Sequence, residues 1–273
     1  MLNRFDKDYK LVITTKTNTI TIQPPLNIAF DCEKSINSFG LNRCNLKVYN
    51  LKQSNINQLV KDADQDEIYI RVELFAGYKN NIKQIFRGNI YRSYPVKNGA
   101  DVILILECMD GLRDVKTSFT SATATTKRKA VEEIVKTMPN TEIGKITDQN
   151  EIYRNKVMMG NSYEELKKLL KPDEIMYIED EKLYIIKNNE LGSNYISIIN
   201  AETGLTNIPS RENQMVTVET RLNPSLKVGG VAKLESIYAS YLDGNYRIET
   251  LSFKGTYDGS DWNQTVKMRQ YEK

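Results

Sequence analysis

Alternation of apolar and polar residues is what most limits the folds open to this chain. In "EIYIRVELF" (67–75), Ile68, Ile70, Val72 and Leu74 fall on one face and Tyr69, Arg71 and Glu73 on the other. A period of two fits a strand with one buried face, whereas a helix repeats every 3.6 residues. The same rhythm puts Ile20 and Ile22 together in "TNTITI" (17–22), and Leu26, Ile28 and Phe30 together in "LNIAF" (26–30). In "DVILILECMDG" (101–111) the alternation gives way to five successive apolar residues, Val102 to Leu106, which predicts a strand covered on both faces. Asn98-Gly99 just before it is a strong hairpin signal. One short helix is expected in "SNINQLVKD" (54–62). Residues 1–116 therefore read as a first small antiparallel β-barrel or sandwich.

The middle of the chain changes period. "TSFTSATATT" (117–126) has no hydrophobic rhythm and reads as a linker. "KRKAVEEIVKTM" (127–138) sets Ala130, Ile134 and Met138 on a helical stripe widened by Val131 and Val135, and Pro139 ends it. A second helix, "YEELKKLLK" (163–171), follows Ser162, whose spacing to Glu165 suits a capping box. "IMYIEDEKLYIIK" (175–187) reads as a hairpin turning at Asp180-Glu181. Residues 117–204 thus form a small α+β module. Period two then returns at Val216, Val218, Thr220 and Leu222; strands are expected in "GVAKLESIYAS" (230–240) and "YRIETLSFKG" (246–255), with a bulge between Ile248 and Leu251. Residues 205–273 read as a second small β-barrel or sandwich. The fold class is mainly β, with two small antiparallel β-barrels flanking an α+β module.

Composition narrows function. Lys and Arg number 38 against 35 Asp and Glu, intermixed, and the longest basic run is "TKRKA" (126–130), which argues against a reader of nucleic-acid sequence. Histidine is absent, so His-based acid–base chemistry, Ser-His-Asp and Cys-His nucleophiles and His-dependent zinc sites are excluded. No run approaches the ~18 apolar residues of a membrane span, and the first residues, "MLNRFDKDYKLVITT", lack the charged-then-apolar design of a secretion signal. No stable membrane association is expected. Cys32, Cys44 and Cys108 form no CxxC and are expected as reduced, packed thiols.

Candidate chemistry is sparse. Asp62, Asp64, Asp66 and Glu73 sit at calcium-loop positions, but Glu67 replaces the turn glycine and Arg71 adds a cation, so an acidic turn is preferred. Glu107 with Asp110, or Asp258 with Asp261 beside Trp262, are the carboxylate pairs that could serve glycoside hydrolysis; each also reads as ordinary turn residues. Gly229-Gly230 lacks a phosphate-loop pattern and reads as a tight strand entry, and Cys44 has no base beside it. No cofactor and no metal are expected. Gly99-Ala100-Asp101 and Gly259-Ser260-Asp261 echo one another, each between strands and each with an aspartate placed to accept the turn's N–H groups. Trp262, with Tyr257 and Asp261, stands at such a turn and is expected as an interface anchor.

"PPLNIAFDCEKSI" (24–36), "LNRCNLKVYNL" (41–51), "VELFAGY" (72–78) and "IFRGNIYRSYPVKNGADVILILECMDGL" (85–112) resemble the first barrel of the baseplate hub proteins of phage tails. "QMVTVETRLNPSLKVGGVAKLES" (214–236) and "YRIETLSFKGTYDGSDW" (246–262) resemble their second. The resemblance implies a homotrimer whose paired barrels make a pseudo-sixfold ring, joining a hexameric tail tube to a trimeric central spike among other baseplate proteins. It further implies a channel that DNA crosses in transit and a virion of contractile type assembled in the host bacterial cytoplasm. The middle module is short and has no lysozyme-like motif, so no cell-wall-degrading activity is carried over. A carboxylate-based cell-wall hydrolase and a carbohydrate- or receptor-binding module are the competing readings.

Overall fold

Apolar alternation produces strands through most of the N-terminal part. The structure, a computed structural model, describes residues 6–36, 41–65, 69–193 and 195–271. It opens with β1 (Lys7–Thr14), β2 (Thr19–Ile22), β3 (Ile28–Ser35) and β4 (Arg43–Tyr49), then helix α1 (Gln53–Leu59), β5 (Arg71–Tyr78), the long β6 (Asn81–Asn98) and β7 (Asp101–Met109). Tyr9, Leu11 and Ile13 of β1 and Val72, Leu74 and Ala76 of β5 point inward from facing registers. Ile68 lies outside the described residues, and the strand expected from it begins at Arg71. In β7, Ile103, Leu104 and Leu106 are buried and Val102 and Ile105 half-buried, so both faces are largely covered. Asn98 pairs with Asp101 across a two-residue turn whose Gly99 has φ 61°, a backbone state that glycine adopts without steric cost.

The middle contains α2 (Leu112–Thr117), β8 (Phe119–Thr126), α3 (Lys127–Val135), β9 (Glu142–Ile146), β10 (Ile152–Asn161), α4 (Ser162–Lys167), β11 (Glu174–Glu179) and β12 (Lys182–Lys187). The expected linker at 117–126 is corrected: nearly all of it is β8, antiparallel to β10 from Phe119↔Asn161 to Thr126↔Ile152. Its Ser, Thr and Ala side chains offer little hydropathy contrast, so the strand has no visible rhythm, although Thr is a good strand former. The cap of α4 is also corrected. Asn161 accepts from the N–H groups of Tyr163 and Glu164, while the Ser162 hydroxyl is buried against those of Thr120 and Thr137. Val131, Ile134, Met138, Met158, Leu166 and Leu183 form a second core under these elements.

The C-terminal part comprises β13 (Ile196–Ile199), β14 (Ser210–Glu212), β15 (Met215–Arg221), β16 (Val231–Leu234), a 3-10 turn at Ser240–Leu242, β17 (Gly244–Thr256) and β18 (Trp262–Gln270). The strand expected over 230–240 stops at Leu234, whereas the bulge falls where expected, between Ile248 and Thr250. β13 precedes residue 205 but pairs in parallel with β16, so it hydrogen-bonds to the C-terminal unit.

The two β units are joined by backbone. The hydrogen-bonded order is β14-β15-β18-β17-β3-β4-β7-β6-β5-β1-β2, with β16 and then β13 branching from β17. β17 pairs with β3 from Thr250↔Ser35 to Thr256↔Ala29, and one apolar core runs beneath both units. The echoed turns differ: two residues separate β6 from β7, whereas 257–261 separate β17 from β18. Asp101 accepts from Asn50 and Asp261 pairs with Lys254 at 3.5 Å, so the expected fixing of each turn by its own aspartate gives way to contacts outside it. Cys32 and Cys44 face each other across β3 and β4 and are disulfide-bonded, correcting the expectation of three free thiols. Cys108, opposite Cys44 on β7, keeps its thiol, and burial pushes its pKa up. Among the described residues no helix is long and apolar enough to cross a membrane.

Candidate functional site

A dense polar cluster lies where the tip of the β11–β12 hairpin enters the junction of the two β units. Asp180 and Glu181 take φ of 50° and 63°, the left-handed pair that a tight two-residue hairpin requires. Their backbone N–H groups donate to the buried Asp110 carboxylate at 2.6 and 3.1 Å. The Asp180 carboxylate accepts from Lys34 of β3 at 2.7 Å and from Lys227 of the C-terminal unit at 2.8 Å. Glu181 accepts from Arg71 at 2.6 Å and lies 3.0 Å from Arg87, and Asn42 donates to the Ile178 carbonyl at 2.9 Å. One hairpin tip thereby binds both β units.

Charge balance at the tip follows burial. Desolvation opposes ionisation of Asp180, but Lys34 and Lys227 outweigh it and hold the carboxyl down to about 2. Burial pushes Asp110 well above the usual carboxylate range, with the Asp180 charge adding to it and Lys34 and the two N–H groups opposing. Burial likewise raises Glu179 against the pull of Lys34. Lysines and arginines of both β units thus pair with the hairpin carboxylates from within the chain, which suits a fixed joint.

The sequence candidates take other places. Asp110 is committed to the hairpin tip, while Glu107 sits on β7 opposite Asn45 and Arg92. Asp258 and Asp261 share an exposed turn near Lys7, whose ammonium donates to the carbonyls of Thr256 (3.0 Å) and Gly259. Asp66 and Glu67 of the calcium-like stretch lie outside the described residues, and Asp62 N–H donates to Gln65 at 3.0 Å. Gly229 has φ 72° and leads into β16; a Cβ there would lie 2.5 Å from the Tyr177 hydroxyl oxygen.

Trp262 requires a correction. Its side chain is turned inward and is 5% exposed. The indole N–H donates to the Gly77 carbonyl of β5 at 2.8 Å, and the ring meets Phe30 of β3 edge-on at 5.2 Å. Gly255 leaves room for this contact, since a Cβ there would lie 2.3 Å from Phe30 and 2.8 Å from the indole. Trp262 therefore bolts the C-terminal unit to the N-terminal one. Tyr257 meets Tyr9 edge-on at 5.3 Å and is half-exposed, as is Asp261. Sequence reasoning also missed Ile237, Tyr238 and Tyr241, which stand out from the loop after β16; their only signal was three large apolar residues in five positions.

The geometry is that of a joined pair of β units, and similarity follows the same line. The family model described as baseplate hub gp41 matches residues 9–266. The chain belongs to that family. This hub-family chain also superposes on the 43 kDa tail protein of prophage MuSo2 from Shewanella oneidensis, with a TM-score of 0.66, 10% identity and 96% of each chain covered. A tail protein from Neisseria meningitidis aligns with a TM-score of 0.60 at 8% identity, again over 96% of both chains. An E. coli type VI secretion component, described as similar in structure to T4 bacteriophage tail proteins gp27 and gp5, gives 0.65 at 9% identity over 96% of this chain and 77% of that one. No curated protein matches the sequence. At such identities the likeness establishes a shared fold, and the family match makes the hub a structural component of a virion's tail baseplate.

Proposed function

We propose that three copies of this hub close into a ring of six near-equivalent β units, joining a hexameric tail tube on one face to a trimeric central spike on the other. The observation that carries this reading is the β3–β17 seam, which fixes two antiparallel β units side by side within one chain. A threefold axis then generates six such units. Other baseplate proteins surround the ring, and DNA crosses it only in transit. The near balance of 38 basic and 35 acidic residues suits such passage, because each phosphate neutralised adds salt-sensitive affinity that would slow it.

In this reading the tail is of the contractile type, assembled in the cytoplasm of the host bacterium, and the hub acts by assembly and without catalysis. The half-exposed turn carrying Tyr257 and Asp261, backed by the buried Trp262, faces a neighbouring subunit or the tube ring. Native mass measurement over a concentration series, with and without the tube protein, tests the ring, for which a multiple of three is expected. A monomer under both conditions overturns it. Clearing of a peptidoglycan zymogram by the purified protein would favour a hydrolase instead.

A further inference from the structure

All three cysteines of the chain lie in one row across the sheet. Cys32 of β3 pairs with Cys44 of β4, and Cys44 in turn pairs with Cys108 of β7. Directly opposed residues project from the same face of a sheet, and all three are buried in one apolar core. The row continues across the seam, because Cys32 is also opposite Phe253 of β17. The Cys32–Cys44 bridge therefore ties the seam strand β3 to its neighbour in the N-terminal unit, while Cys108 keeps its thiol on the other side of Cys44.

Spacing decides which sulfur Cys108 can reach. Opposed residues on adjacent antiparallel strands have Cα atoms about 4.5–5.5 Å apart, inside the roughly 4.4–6.8 Å that a disulfide spans. Cys32 is two strands from Cys108, about 9–10 Å at the usual strand spacing and beyond the ~7 Å limit. Cys108 lies on the far side of Cys44 from Cys32, and a thiolate displaces sulfur from the side opposite the leaving group. The row is one residue from the end of its ladders, which close with the pairs Glu33↔Arg43 and Arg43↔Met109. Beyond them the backbone is clamped to the β11–β12 hairpin. Asn42 donates to the Ile178 carbonyl at 2.9 Å, and Asp110 accepts from the Asp180 N–H at 2.6 Å.

We propose that the three cysteines form a disulfide relay, in which the bridge moves from Cys32–Cys44 to Cys44–Cys108 and releases the seam strand β3 from its covalent tie. Cys108 loses its proton and its thiolate attacks the Cys44 sulfur. The Cys44–Cys108 bond forms as the Cys32–Cys44 bond breaks, and Cys32 leaves as a thiolate that takes up a proton. One thiol and one disulfide stand on each side of the step, so no oxidant or reductant is consumed. Burial keeps Cys108 protonated, with the charge of Glu107 adding to it, and the thiolate is the nucleophile. The exchange therefore waits for water to reach the end of the ladder, where local opening costs least and which the hairpin clamp holds shut. A firm joint keeps the bridge on the seam strand, and a loosened joint lets it move.

The test uses the full chain and maps bridges by mass spectrometry after acid quench and digestion. Wild type is held in native buffer without added thiol, with iodoacetamide to cap Cys32 once it is released. Cys44–Cys108 with capped Cys32 is expected to accumulate at a rate independent of protein concentration. It should exceed Cys32–Cys108 at least about tenfold, because the latter is out of reach in the folded sheet, whereas an unfolded chain closes the two similar loops almost equally. Asn42→Ala, which removes one clamp, should speed the exchange about tenfold, the scale of one lost hydrogen bond. Cys32→Ser, reduced and re-oxidised with oxidised glutathione, should bridge Cys44 to Cys108, while Cys44→Ser should leave Cys32 and Cys108 unbridged; thermal unfolding is the folding control. A wild type in which Cys44–Cys108 never appears, or appears no more than Cys32–Cys108, overturns the relay. So does a folded Cys32→Ser protein that bridges no better than Cys44→Ser; serine variants that fail to fold leave the wild type to decide. A rate that Asn42→Ala leaves unchanged overturns the clamp.

Discussion

Residues 257–262 and 236–242 both carry aromatic side chains at strand ends of the C-terminal unit, yet Trp262 is 5% exposed whereas Tyr238 and Tyr241 are 80% and 81% exposed. The difference is made by chain segments far away in sequence. Gly77 and Phe30, from β5 and β3, reach Trp262 and give its indole a carbonyl and a ring edge. Among the described residues the side-chain hydrogen bonds of the 236–242 loop stay within its own unit, through Asp243, Ser236 and Tyr246. An aromatic beside a polar turn is therefore either a bolt or a projection, and what lies over it decides which.

The largest expected effect tests the bolt. Trp262→Ala should lower unfolding free energy by about 3–5 kcal/mol, the usual cost of emptying a large buried aromatic site, measured by denaturant titration. A loss under about 1 kcal/mol would mean that the indole is not sealed between the units and would erase the contrast with Tyr238. Next comes the second inter-unit joint. Asp180→Ala strips the fully buried Lys34 of its nearest counter-charge and should cost about 3 kcal/mol in the same titration. A neutral result would leave Trp262 and the β3–β17 ladder as the joints that matter.

The same joint has a pH signature. The folded state holds Asp180 down to about 2, against an ordinary 3.8, so the unfolded chain takes up the proton first as pH falls. Its contribution is complete above about pH 5 and drains away as pH drops through 3.8 toward 2. Asp110 and Glu179 are raised and act in the opposite sense, so the informative quantity is the stability difference between wild type and Asp180→Asn. That difference should shrink by about 2 kcal/mol across this range; a constant difference would show that the two lysines do not act on Asp180. Smaller again, Asn161→Ala should cost about 1 kcal/mol by uncapping α4. Smallest of all, Tyr238→Ser should leave monomer stability within about 0.5 kcal/mol, and a large loss there would make the loop a buried element.

Much of the architecture was legible because hydropathy period reports local burial directly. The alternation at Val72 and Leu74, the Asn98-Gly99 turn and the Asp180-Glu181 hairpin all appear as strands and turns. Where residues carry little hydropathy contrast, the signal vanished. Ser, Thr and Ala at 117–126 concealed β8, and the apolar Ile237 and Tyr238 drew the expected strand past Leu234, where β16 ends. The hub resemblance was legible as ordered strand phrases, and the family match over residues 9–266 agrees with it. The hairpin tip as an inter-unit joint was not, because Lys34, Asp110, Asp180 and Lys227 lie far apart in sequence.

By itself the sequence determined where the strands with clear hydropathy alternation and the two amphipathic helices form, and that histidine chemistry is absent, since period and composition act within a few residues or over the chain as a whole. Only the tertiary structure decided that two β regions become one sheet at β3 and β17, that Cys32 meets Cys44, and that Trp262 points inward while Tyr238 points out. Those outcomes depend on which segments of distant sequence arrive at the same place. A side chain's own polarity sets the cost of leaving it uncovered, whereas its neighbours in space determine whether it is covered.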